Sequence, residues 1–346
     1  MKVVVRLFRY LCAAGVSAIL ITALPLASEG QTSRKSTPQK ASVSRTSLAR
    51  SAAAARARRA AASRRVREAQ LREAATPRFK TDELGNLIPD VRAAAAIIYN
   101  PETGDVLYEA NSHDQRSIAS LTKIMTAVTF VADDPDLDQR VAITRADTYR
   151  ASVSYIRTGE VITYRDLLHL TLIASDNAAA RVLARTSEGG TAAFVARMNQ
   201  MASNLGLKNS QYADPSGLDS RNVSSAYDLS HLIAFATSDE RLGPIMRTHE
   251  FEVHTNRRTF AIRNTNKLLG SDVDVVAGKT GFISKAGYCL ATLMQGPQGA
   301  QVAVVVLGAT NSAMRFAEAR HLFNWALSHT QGMFVTAASP FVPKQD

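Results

Sequence analysis

Disulfide bonds cannot organise this chain. It has two cysteines in 346 residues: Cys12 in an apolar N-terminal run and Cys289 in a strand-like segment. They form no Cys-x-x-Cys pair, which excludes a disulfide framework and a zinc ribbon alike. The apolar surroundings of Cys289 predict a buried, inert thiol. Aromatic residues are also scarce, 6% with a single Trp, too few for the stacking platforms of single-strand nucleic-acid binders. Of the seven histidines, His249 and His254 lie five apart in a strand-like stretch, whereas a helical zinc peptidase spaces its pair by four. No metal and no other cofactor is implied. Acidic residues are nearly missing from one stretch: residues 31–80 hold 14 Lys and Arg against Glu68 and Glu73, a charge of +12. The whole chain carries +11 and residues 1–30 carry +2, which leaves −3 for everything after residue 80. The basicity belongs to a tail, and the folded part is near neutral.

Hydrophobic residues make up 46% of the chain, enough for a large core. Lys2, Arg6 and Arg9 precede the apolar run Tyr10 to Ala27, so residues 1–30 read as an export signal or an N-terminal anchor. Ser28-Glu29-Gly30 is a tolerable cleavage site. On either reading the folded part is expected outside the cytoplasm, in the periplasm or cell envelope, associated with the membrane if the N-terminus stays as an anchor. Residues 31–84 are a basic Ala/Arg-rich linker with few large apolar residues, expected to be disordered or loosely helical. Two readings of residues 31–80 stand side by side: attachment to an anionic membrane or wall polymer, and a solvated spacer. Export argues against nucleic acid as the partner.

The folded domain is expected over residues 85–330, with 331–346 as a C-terminal tail. Ala93–Tyr99 and Val106–Ala110 read as strands around the turn Asn100–Gly104. Ser120–Ala132 reads as a helix. Thr163-x-x-Asp166 caps a second, which breaks at Ser175-Asp176-Asn177; a third covers Ala178–Ala184, and a fourth carries Phe194, Met198, Met201 and Leu205 and stops at Gly206. Past Tyr227 the pattern turns to strands. Phe251–Thr255 and Thr259–Ile262 form a hairpin, Val273–Gly281, Tyr288–Met294 and Gln301–Leu307 follow, and the helix Ala313–Ser328 closes the domain. This pattern predicts an α/β fold: a mixed, mainly antiparallel sheet flanked by helices, with an inserted all-helical lobe.

Three short motifs carry chemistry. In Ser120-Leu-Thr-Lys123, positions i and i+3 share a helix face, which brings an amine within reach of a hydroxyl. Serine needs a base, and a partly desolvated lysine supplies one. In Ser175-Asp176-Asn177, the hydroxyl can relay a proton and the amide can hold a substrate carbonyl. Ser220-Arg221-Asn222 satisfies the looser Ser-x-Asn pattern, but it follows Pro215-Ser-Gly217 in a turn-rich stretch where capping explains it. Lys279-Thr280-Gly281 ends a strand: two donors suit a carboxylate, and the glycine permits close approach of another chain. Each motif alone is weak. In this order and separation they are specific.

The set matches the Ser-x-x-Lys, Ser-Asp-Asn and Lys-Thr-Gly motifs of penicillin-binding proteins and serine beta-lactamases. With Ser117–Ala127, Asp214–Asp219, Arg263–Leu269 and Gly278–Tyr288, roughly residues 85–330 resemble the low-molecular-mass D-alanyl-D-alanine carboxypeptidases. The resemblance implies a serine acyl-enzyme acting on peptidoglycan stem peptides and inhibited by beta-lactams. It implies Ser120 as nucleophile, Lys123 as base, Ser175 as proton relay and Asn177 as a backbone grip. Lys279 and Thr280 would hold the terminal carboxylate at Gly281, and the N–H groups of Ser120 and Phe282 would form the oxyanion hole. Phe282 stands where the family often has a polar or smaller residue. Tyr155–Gly159, Asn222–Asp228 and the lack of a second β-rich domain look more like the endopeptidase branch, which cuts crosslinks. A class A beta-lactamase needs a deacylating Glu, and none occurs between Glu188 and Glu240. A non-catalytic wall-binding protein is the remaining alternative, and the intact Ser120 and Lys123 argue against it.

Overall fold

In the computed structural model the described residues are 45–329. The readings of an N-terminal signal and a C-terminal tail, and Cys12, fall outside them. The chain divides into two units at Arg58/Arg59. The described part of the first is the beginning of helix α1 (Arg45–Ala75). Of the two expected states, disorder and loose helix, the segment takes the helical one: Ala, Arg, Leu, Gln and Glu are strong helix formers, and the helix runs on without a buried stripe. Among the described residues no helix is long and apolar enough to cross a membrane.

In the second unit, β1 (Phe79–Thr81) and β2 (Leu87–Pro89) form a short hairpin. Ordered structure therefore starts before residue 85. Next come β3 (Ala95–Tyr99), β4 (Val106–Ala110) and the two-residue β5 (Arg116–Ser117). A 3-10 turn over Ala119–Leu121 leads into α2 (Thr122–Ala132). The lobe is built from β6 (Arg140–Ala142), α3 (Arg145–Thr148), β7 (Val161–Thr163), α4 (Tyr164–Leu172), α5 (Asn177–Thr186) and α6 (Gly190–Asn204). Thr163 caps α4, its hydroxyl accepting from the Asp166 N–H at 3.1 Å.

After β8 (Val223–Ser224), where strands were expected next, two helices intervene: α7 (Ala226–Ser238) and α8 (Leu242–Arg247). Ser225 caps α7 through the Asp228 N–H, and Leu229, Leu232, Ile233 and Ala236 form its buried stripe. The hairpin β9 (Glu250–His254) and β10 (Thr259–Arg263) precedes β11 (Asp274–Ile283), β12 (Gly287–Gln295) and β13 (Gln301–Ala309), and α9 (Ser312–His329) closes the domain.

The five-stranded sheet has the order β11-β12-β13-β3-β4, antiparallel throughout. Alternation along its strands divides the core in two. Ala95, Ile97, Val305 and Leu307 face α2, α7 and the lobe, while Ala96, Ile98, Val304 and Val306 face α9. The lobe also carries the short pair β6–β7, bridged from Ile162 to Thr255. Edge strand β11 and the 3-10 turn before α2 meet between sheet and lobe.

Candidate active site

Ser120 lies half-buried in the 3-10 turn, after Ala119, whose φ of +49° is left-handed for a residue with a Cβ. Two glycines make room for this turn. A Cβ on Gly217 would lie 2.0 Å from the Ala119 carbonyl oxygen, and one on Gly281 would lie 3.2 Å from the Ser120 nitrogen. The close approach expected at Gly281 is therefore already filled by the nucleophile's own backbone.

Lys123 is fully buried one turn further on. Its Nζ lies 3.0 Å from Ser120 Oγ, 2.6 Å from Asn177 Oδ1 and 2.5 Å from the Ser216 carbonyl oxygen. Burial pulls the amine down to about 7, against the opposing attraction of Asp176 and Asp214 and with help from Arg181. A neutral amine has two N–H bonds and one lone pair. When the amine is neutral, N–H bonds to the two carbonyl-type oxygens leave that lone pair for the Ser120 hydroxyl; when it is protonated, Nζ donates to Ser120 Oγ as well.

The Ser175–Asn177 break adds a second pair. Ser175 takes a left-handed φ of +59°. Asp176, fully buried, caps α5 by accepting from the Ala179 N–H at 3.0 Å and also accepts from the Tyr155 N–H at 2.5 Å. Burial raises its carboxyl, and these backbone donors and Lys123 resist the rise. Asn177 Nδ2 donates to the Ala151 carbonyl at 2.6 Å while its Oδ1 accepts from Lys123, so its amide is held by internal partners with one Nδ2 hydrogen to spare. Lys279, buried on β11, donates from Nζ to Ser175 Oγ and to the Thr280 carbonyl, both at 2.8 Å. Burial takes its amine well below the ordinary value, and the charges of Lys123 and Arg315 add to the shift. Thr280 donates its hydroxyl to Thr265 Oγ1 at 2.7 Å. The Phe282 side chain is half-exposed and stacks on Tyr288 at 4.3 Å.

The three motifs thus meet as Ser120–Lys123–Asn177 and Ser175–Lys279. Ser220-Arg221-Asn222 does not join them: Asn222 is buried and accepts from the Ala213 and Asp214 N–H groups. Sequence reasoning gave no role to Ser216, Thr265 or Arg315. Asp214 accepts from the N–H groups of Ser216, Gly217 and Asp219 in an Asx-type turn that presents the Ser216 carbonyl to Lys123. Asp214–Asp219 and Arg263–Leu269 were visible as stretches, but nothing local shows what they touch. Among the described residues no group of three His, Cys, Asp or Glu could hold a metal ion.

A serine facing a buried lysine of lowered pKa, beside a second serine–lysine pair, defines a serine hydrolase built for acyl transfer. The chain belongs to the D-alanyl-D-alanine carboxypeptidase family of serine peptidases, which matches residues 82–311. It is 37% identical over 245 residues to a D-alanyl-D-alanine endopeptidase of Pseudomonas aeruginosa, covering 68% of this chain and 77% of the relative. It is 31% identical over 256 residues to the D-alanyl-D-alanine carboxypeptidase DacF of Bacillus subtilis, covering 72% and 64%. The Streptomyces K15 DD-transpeptidase structure is 28% identical with a TM-score of 0.67, covering 69% of this chain and 98% of that one.

Proposed function

We propose that this serine DD-peptidase hydrolyses the bond after D-alanine in peptidoglycan stem peptides through an acyl-enzyme on Ser120. The carrying observation is the Lys123 amine, lowered to about 7 and 3.0 Å from Ser120 Oγ. Lys123 takes the hydroxyl proton as Oγ bonds to the D-alanyl carbonyl carbon, and the oxyanion forms beside the N–H groups of Ser120 and Phe282. The C–N bond then breaks, and Ser175, in contact with Lys279, passes a proton to the leaving amine. Lys279 and Thr280 hold the carboxylate on the leaving side, and the spare Nδ2 hydrogen of Asn177 meets the substrate backbone. Water attacks the ester, which returns Ser120.

Cleavage of crosslinks is the favoured use of this chemistry, because relatives from Pseudomonas aeruginosa and Escherichia coli at 37% and 33% identity are endopeptidases. The signal-like pattern of residues 1–30 supports a periplasmic or cell-envelope setting for this activity, and the +12 charge of residues 31–80 supports contact with an anionic envelope surface, the other reading being a solvated spacer. Labelled penicillin tests the assignment. It acylates the native protein and leaves Ser120→Ala unlabelled; labelling that persists in the variant would falsify it. Incubation with purified muropeptides then reads the bond by mass: monomers from dimers mark an endopeptidase, and D-alanine from pentapeptide marks a carboxypeptidase.

A further inference from the structure

Arg315 of α9 lies beneath the edge of the sheet, 8% exposed. Its Nη1 donates to the Gly281 carbonyl at 3.0 Å and reaches the Cys289 carbonyl at 3.4 Å, while Nη2 lies 3.3 Å from Ser312 Oγ. Its buried Nε has no partner. Tyr288 and Phe316 flank it at 5.5 and 4.7 Å. Among the described residues no carboxylate pairs with it. A buried guanidinium left without an anion is costly to the fold, and burial lowers it to about 10, which still leaves it charged at neutral pH. Its shortest contact is the main-chain carbonyl of Gly281, the last residue of the Lys279-Thr280-Gly281 motif.

That carbonyl shares one planar, trans peptide group with the Phe282 N–H, so the two point in opposite directions. A cation on the oxygen draws electron density out of the amide and enlarges the dipole of its N–H. The same glycine packs against the Ser120 turn, so the peptide that Arg315 holds borders the nucleophile. We propose that Arg315 is a positioning residue for the acyl-transfer step: it fixes and polarises the Gly281–Phe282 peptide, making the Phe282 N–H a stronger donor to the oxyanion. It acts through that peptide and touches no substrate atom. This rests on the acyl-enzyme reading above.

The test compares Arg315→Met, Arg315→Lys and native enzyme on two thioester substrates, one ending in a carboxylate and one without it. Arg315→Met lowers the acylation rate constant by about 10- to 100-fold, within what one charge-assisted donor contributes, with little change in KM. The loss is equal on both substrates, and Arg315→Lys recovers part of it. The infrared carbonyl band of the acyl-enzyme moves to higher frequency in Arg315→Met, as expected for a less polarised ester. A loss confined to the carboxylate substrate would show Arg315 gripping the ligand directly and overturn the proposal, as would unchanged acylation or an unmoved band. If Arg315→Met does not fold, Arg315→Lys carries the same readouts, with a smaller loss and a smaller shift. Failure of native enzyme to acylate at Ser120 would instead sink the acyl-enzyme reading itself.

Discussion

Helices α1 and α2 are built on opposite terms. The first runs 31 residues and, among side chains described, buries only Ala74. The second runs 11 residues and buries every position from Thr122 to Val131. Helix α1 is written in strong helix formers and stands on backbone preference. Helix α2 holds Thr122, Ile124, Thr126, Val128, Thr129 and Val131, β-branched residues that favour strands, and it is helical because sheet and lobe close around it. The charges follow suit. The arginines described in α1 are exposed to water, whereas the one lysine of α2 is shut away from it and becomes a base.

Removing that base breaks the comparison most severely. Lys123→Ala should slow penicillin acylation by about a thousandfold while circular dichroism stays native. Acidification should act next. Below about pH 7 Lys123 gains a proton and its lone pair is lost, so stopped-flow acylation should fall about tenfold per pH unit on the acid side. A pH-independent rate from 5 to 8 would remove Lys123 as the base. Ile124→Ala opens a cavity in the buried helix and should lower unfolding free energy by about 3 kcal/mol in urea titrations. Replacing Arg56, Arg58, Arg59 and Arg65 of α1 with Gln should change stability by less than about 0.5 kcal/mol per site and leave peptide cleavage intact. Sedimentation with anionic vesicles should nevertheless weaken, by about 1 kcal/mol per arginine.

The same contrast explains what could be read in advance. Strands β11 to β13, the Asn256–Arg258 turn and the Thr163 cap follow from local pattern, and so does the order of the three motifs. Helix α7 stands where the strand region was expected to begin, although Ser225-x-x-Asp228 opens it and its apolar positions fall at i, i+3, i+4 and i+7. Hairpin β1–β2 is three residues a side and mostly exposed, too short for periodicity to show. For α1, composition left disorder and loose helix open together, because the missing core and the strong helix formers point different ways. Contacts that join Lys123 to Ser216 and Arg315 to Gly281 cross long stretches of chain, and no local rule contains them.

The sheet has a consequence for how the protein comes into being. Strand β13, near the end of the domain, pairs with β3 at its beginning, Ala303 opposite Tyr99. Contacts of such high order form slowly, and a chain emerging from the ribosome cannot complete its catalytic sheet until β13 has been synthesised. Through most of its synthesis the nucleophile therefore belongs to a chain without its central sheet, and activity arrives only when the two ends of the domain meet.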